Sequence, residues 1–286
     1  MPLYKCDDHM HPFEHCRSKD GMRQFVLVAQ ERGFDEICFT KHGPLPCGMN
    51  DGGMSESELE DYVRFTLELR KEFSPIRIKL GLELNYYPDI EKYLASLIRR
   101  HPFDYVIGSV HIHTAPYAAL IEGKSFDGTV KIALNLEQDA VKSGLFDTLA
   151  HLDFFRWLCD PARFNRFKDS TYEPERYKDQ ILNLLHVLEN RNVCVEVNSS
   201  GLKKSFGQIL PCPAILSWAK KFNLHYTFGS DAHMANHVGD GYHEALATMF
   251  KTQRRCLVTF RDRKPVCLSD ARDGAAHGGA GSLGGG

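Results

Sequence analysis

Hydrophobic and polar positions repeat along this chain in two alternating patterns. Short β-branched or apolar runs are followed by longer segments whose apolar residues recur at helical spacing. The short runs predict strands at 3–8, 36–40, 76–84, 104–110, 146–151, 193–197 and 226–230. The longer segments predict helices over roughly 20–32, 55–72, 89–100, 130–144, 173–191, 212–222 and 240–251. Ser55 or Ser57 caps the second of these, and Asp89, after Pro88, caps the third. Residues 256–260 offer one more strand. Strands alternating with helices predict a parallel sheet, and about seven such units point to a barrel related to the (β/α)8 design. A doubly wound open sheet fits the same pattern.

In a parallel barrel, chemistry gathers at the C-terminal ends of the strands and in the loops that follow. Each predicted strand delivers an imidazole or a carboxylate there. The first ends at His9 and His11, the second at His42, the third at Glu83 and the fourth at His111, with His113 close behind. The fifth ends at His151 and Asp153, the sixth at Glu196 and Asn198, and the seventh at Asp231 and His233. His9 and His11 are two apart, so on an extended strand they point to the same side and can chelate one ion. Asp231 and His233 repeat that spacing, and His15 follows in the first loop. Imidazoles mixed with carboxylates suit Zn, Mn or Fe. The set exceeds what one four- to six-coordinate ion can use, which predicts a cluster bridged by a carboxylate such as Glu83.

Composition narrows the setting. Hydrophobic residues are 43% and charged residues 25% of the 286, enough for a core and too apolar for disorder. The net charge of −2 leaves no basic excess for a nucleic-acid backbone or an anionic membrane. The first 16 residues include Lys5, Asp7, Asp8 and Glu14 and no apolar stretch, and no run approaches the ~18 apolar residues of a membrane span. Nine cysteines without regular spacing suit reduced thiols. A cytoplasmic location is therefore expected. Residues 1–270 read as one domain and 271–286 as a flexible Gly-rich tail, which contains His277. Of the 14 histidines, His101, His186, His225, His237 and His243 read as surface or core residues.

The ordered series D-x-H-x-H…H, T-x-H, G-x-E, G-S-V-H, H-x-D, E-x-N and S-D-A-H resembles the PHP superfamily, and within it the PHP-type histidinol-phosphatases. The segments F-T-K-H-G-P-L-P (39–46), G-L-E-L-N-Y-Y-P (81–88), F-D-Y-V-I-G-S-V-H (103–111), H-L-D-F-F-R (151–156) and E-V-N-S-S-G-L-K-K (196–204) carry the narrower resemblance. It implies a distorted (β/α)7 TIM-like barrel with three divalent ions at the C-terminal mouth. By motif position, one ion takes His9, His11, Glu83 and Asp231, and a second takes His15, His42 and His233. A third shares Glu83 with His111 and His151. Glu196 and Asn198 then orient ligands or touch substrate. Two positions depart from the pattern: Lys203 stands where Arg is frequent, and Asn85 where an acid is frequent.

The implied activity is metal-dependent hydrolysis of a small phosphorylated metabolite, L-histidinol phosphate, to L-histidinol and phosphate. Arg156 is nominated as the phosphate clamp with Lys203 as helper, and Asp231 or a metal-bound water as the acid for the leaving alkoxide. Loops 43–54 and 112–127, with Met49, Tyr117 and Phe126, are expected to hold the alcohol half. The alternatives are a PHP-type phosphoesterase acting on a nucleotide or sugar phosphate, a metal-binding scaffold without catalysis, and an amidohydrolase-type hydrolase. Monomer and homo-oligomer stay equally open.

Overall fold

The computed structural model describes residues 4–13, 17–164, 166–252 and 257–269. The expected tail, 271–286, and His15 lie outside the described residues. Seven strands form one parallel sheet in chain order: β1 (Cys6–Asp7), β2 (Glu36–Phe39), β3 (Arg77–Asn85), β4 (Tyr105–Ser109), β5 (Thr148–Leu149), β6 (Cys194–Asn198) and β7 (Tyr226–Gly229). The sheet curls until its ends meet. Asp8 N donates to Phe228 O at 2.9 Å, Asp231 N donates to His9 O at 2.8 Å, and Met10 pairs in parallel with Ala232. The open-sheet alternative is thereby excluded.

The helices are α1 (Lys19–Glu31), α2 (Glu56–Glu72), α3 (Glu91–Arg100), α4 (Ala118–Ile121), α5 (Phe126–Ser143), α6 (Lys178–Arg191), α7 (Pro213–Ala219) and α8 (Tyr242–Thr252). Each long one buries a stripe against the barrel, such as Met22, Phe25, Val26 and Ala29 on α1, or Ile181, Leu184, Leu185 and Leu188 on α6. Full burial of each such aliphatic side chain stabilises by about 1.5–3 kcal/mol. Of the two expected caps for α2, Ser55 does it, within a capping box closed by Glu58. Asp89 does not cap α3. It lies in a 3-10 turn, Pro88–Ile90, that runs directly into the helix.

Inside the barrel, alternate residues of each strand point inward. Cys38, Tyr105, Ile107, Ala150 and Cys194 make an apolar layer, completed by Val258 and Phe260. Those last two belong to an antiparallel hairpin, β8 (Val258–Arg261) and β9 (Lys264–Cys267). The extra strand expected at 256–260 is therefore outside the main sheet, and its described part plugs the base. Leu257 pairs with Tyr226 at the start of β7, Arg263 N donates to Asp104 O just before β4, and the Phe260 ring stacks on Tyr105 at 5.0 Å. With the base sealed, the C-terminal mouth is the open end.

Cys6, Cys38, Cys47, Cys159, Cys194 and Cys212 are free, and most are buried as small core residues. Cys267 is disulfide-bonded, which departs from the expectation of reduced thiols. Among the described residues, no helix is long and apolar enough to cross a membrane.

Candidate metal centre

The top layer of the barrel interior is polar and centred on Glu83, which is 1% exposed. Its strand carries Lys79, Gly81 and Glu83 on the inward face, so two residues of rise separate each from the next. The two carboxylate oxygens of Glu83 face different partners. Oε2 lies 3.1 Å from His9 Nε2, 3.3 Å from His11 Nε2 and 3.2 Å from His42 Nδ1. Oε1 lies 3.2 Å from His151 Nε2 and 3.6 Å from His111 Nε2. One carboxylate thus divides five imidazoles into two sets, the disposition of a bridging ligand. Asp231 Oδ1 adds a second acid, 3.1 Å from His11 Nε2 and 3.7 Å from His9 Nε2. The His233 ring stacks on His11 at 4.3 Å, and His11 lies 4.5 Å from His42, ring centre to ring centre.

The backbone serves this packing. Gly229 on β7 has no side chain because a Cβ there would run into the Glu196 carboxylate and the His9 Cβ. His151, Asp153 and Asp231 adopt positive φ of 24°, 66° and 54°, so the chain turns sharply where it delivers these groups.

Electrostatics fits cation binding. Burial pushes the His11 and His42 imidazoles down to about 3, and neighbouring imidazoles push the same way. Burial also holds His111 well below its ordinary value. Burial would raise the Glu83 and Asp231 carboxyls, but the surrounding imidazoles outweigh it and hold both well below the usual carboxylate range. Neutral imidazoles and ionised carboxylates are the forms that ligate a divalent ion. Burial lowers His9 as well, but the carboxylates of Glu196, Glu83 and Asp231 outweigh it and hold this imidazole well above its ordinary value, so a cation bound here would displace its proton. The His9 and His11 Nε2 atoms face each other at 3.1 Å, and His11 Nδ1 is buried without a partner. The groups His9–His11–Glu83, His11–His42–His233 and His42–Glu83–His111 each converge closely enough to hold an ion.

Glu196 and Asn198 lie beneath the nest. Glu196 Oε1 sits 2.6 Å from His9 Nδ1, while Oε2 accepts from the His151 amide at 2.6 Å and from Asn198 Nδ2 at 3.1 Å. Both are fully buried, so they hold the His9 ring and the His151 backbone from below and do not face the mouth.

The expected phosphate cations are placed elsewhere. Arg156 lies on the 3-10 segment Phe154–Cys159 and turns to its far side. Its Nη1 donates to Asp153 and its Nη2 to Gln208, both at 3.2 Å, and its guanidinium lies over Phe206. There it lines a separate cavity of about 620 Å³ with Cys159, Tyr172 and Cys212. Lys203 points to solvent and pairs with Asp240. The cation that does line the mouth is Lys204, one residue on. Phe154, Trp157, His113, Thr114 and Asp51 line it too. The reading of strand ends missed Asp51, Trp157 and Lys204 because they sit in long connections whose path depends on the folded barrel. Of the residues expected to hold the alcohol half, Tyr117 and Phe126 are buried in the core, and Met49 lines a neighbouring cavity.

Residues 7–200 match the PHP domain family, and residues 213–252 match a PHP-associated family. A protein of Deinococcus radiodurans named "Probable histidinol-phosphatase" is 28% identical over 268 residues, which covers 91% of this chain and 97% of that protein. The histidinol-phosphatase of Bacillus subtilis is also 28% identical, over 84% of this chain and 97% of its own length. The crystal structure of histidinol phosphate phosphatase from Lactococcus lactis, complexed with zinc, L-histidinol and phosphate, superposes with a TM-score of 0.76 at 24% identity. It covers 93% of this chain and 100% of that one.

Proposed function

The chain belongs to the PHP domain family, and on that premise we propose that it is a histidinol-phosphatase. It is a hydrolase that releases phosphate from L-histidinol phosphate and so serves histidine biosynthesis. The observation that carries this reading is the division of five imidazoles between the two oxygens of one buried carboxylate.

The donor set suits three divalent ions of the Zn, Mn or Fe kind, held by His9, His11, His15, His42, Glu83, His111, His151, Asp231 and His233. The unpartnered Nδ1 of buried His11 and the convergent nitrogens support that fit. Bound there, such ions supply Lewis acidity toward phosphate oxygens and lower the pKa of an attacking water. The protein does the rest. Glu196 holds the His9 and His151 rings in place through Nδ1 and the backbone amide respectively, so their Nε2 atoms stay aimed inward. Asp231 stands as a carboxylate with Oδ1 engaged by His11, which leaves Oδ2 to take up the proton released as water attacks and to return it to the leaving alkoxide. Lys204 offers an ammonium to the phosphate oxygens from across the mouth. Arg156 acts from behind, holding the segment that presents Phe154 and Trp157 to the mouth.

Metal-loaded protein is expected to release inorganic phosphate from L-histidinol phosphate faster than from a panel of nucleotide and sugar phosphates. A flat profile across that panel would refute the substrate, and no release from any ester would refute the activity.

A further inference from the structure

Two charged side chains line the mouth without an ionic partner among the described residues. Asp51, in the loop between β2 and α2, is held by neutral donors: Asn85 Nδ2 to Oδ2 at 3.1 Å, and the Gly53 amide to Oδ1 at 3.1 Å. Asn85 is itself pinned, since its Oδ1 accepts from the His111 amide at 2.9 Å. Lys204 rests its ammonium near two rings, 4.8 Å from the Trp157 centroid and 5.1 Å from that of Phe154. Asp51 and Lys204 share one cavity of about 240 Å³ and do not pair with each other. A half-buried charge without a counter-charge is unfavourable unless a ligand supplies one. A mouth with one free charge of each sign is complementary to a ligand that has a charge of each sign.

Position sharpens this. Asp51 also lines an adjoining cavity of about 310 Å³ with Leu45, Met49 and Met54, so it stands where the mouth opens into a side pocket. It belongs to none of the convergent metal-ligand groups. The imidazole nest and Lys204 account for a phosphate, and neither accounts for a fixed carboxylate at the rim.

We infer that Asp51 selects substrates whose alcohol half carries a positive charge, by pairing its carboxylate with that charge while the phosphate lies toward Lys204 and the histidine nest. This rests on the phosphomonoesterase reading and names the residue that would make it specific. Asn85 is a positioning residue, which keeps the carboxylate turned into the mouth.

The test is the selectivity ratio: kcat/KM for L-histidinol phosphate divided by kcat/KM for glycerol 3-phosphate, whose alcohol half is uncharged. For Asp51→Asn and Asp51→Ala the ratio is expected to fall by about tenfold to hundredfold, mainly through KM on the cationic ester. Metal content should match the wild type. Equal losses on both esters, an unchanged ratio, or loss of metal from both variants would overturn the role of Asp51 and leave the phosphatase reading standing. A wild-type protein that is metal-loaded and cleaves neither ester refutes that reading instead.

Discussion

The barrel buries charge at both ends of its interior, and the two ends handle it in opposite ways. At the base, Lys79 is 1% exposed, and its ammonium touches Asp8 and Thr259 and lies 3.1 Å from Glu36. Thr259 in turn donates to Glu36, and Cys6 donates to an Asp8 oxygen at 2.8 Å. The chain provides both signs of charge, so the cluster closes on itself. At the mouth, five imidazoles and two carboxylates converge, and among the described residues no lysine or arginine stands in their middle as Lys79 does at the base. Cys6, Asp8 and Glu36 also converge as a metal site would, yet the Lys79 ammonium already occupies the middle. Convergent ligand atoms alone do not distinguish the two ends. The presence or absence of the protein's own cation does.

The comparison breaks most sharply at Glu83. Glu83→Gln keeps the shape and removes the charge that both sets of imidazoles share. Metal content measured by elemental analysis should fall, and turnover should fall by roughly 10³-fold. Near-normal metal content would mean that Glu83 is no bridge and that the mouth resembles the base more than its geometry suggests. Next in size is Lys79→Met, which leaves Asp8 buried without its cation and Glu36 with only Arg77 and Arg261 at its outer oxygen. Breaking a buried ion cluster in this way costs about 3–5 kcal/mol. Urea denaturation should register that loss while the metal content of the folded fraction stays at the wild-type level. A variant of normal stability that lost metal would invert the assignment of the two ends.

The mouth was more legible in the sequence than the base, for a physical reason. Strand polarity and a period of two bring His9, His11, His42, Glu83, His111, His151, Asp231 and His233 to one rim, and each is the polar end of an otherwise apolar run. Lys79 sits near the start of its strand and Thr259 some 180 residues away, so nothing local announces that they meet. Strand centres were also easier to read than strand lengths. β5 keeps only Thr148 and Leu149 of the expected 146–151, because the chain bends at His151 to deliver its side chain. Arg156 lies away from the mouth for a related reason. Three residues after Asp153, within a 3-10 segment, its side chain falls back onto that same aspartate, whereas Lys204 is carried to the rim by a loop whose course depends on β6 and β7. Spacing along a strand predicts direction, while spacing along a long loop does not.

The finest distinction lies in a single hydroxyl. Thr259 reaches the base from the hairpin and joins two groups of opposite charge, accepting from Lys79 and donating to Glu36. Thr259→Val has nearly the same volume and removes both bonds, together with the longer contacts of the hydroxyl to Asp8 at 3.4 Å and Cys6 at 3.5 Å. Lys79 keeps its contacts with Asp8 and Glu36, so the loss is that of one hydroxyl between charged groups, about 1–3 kcal/mol. That is smaller than removing the ammonium, because the ion cluster survives. The change should appear as a lower denaturation midpoint, with kcat and metal content as in the wild type, since the apolar layer of Cys38, Ile107, Ala150 and Cys194 separates the base from Glu83. If turnover fell along with stability, the two polar layers would be coupled through that apolar one, and the base would be part of the machinery it was contrasted with.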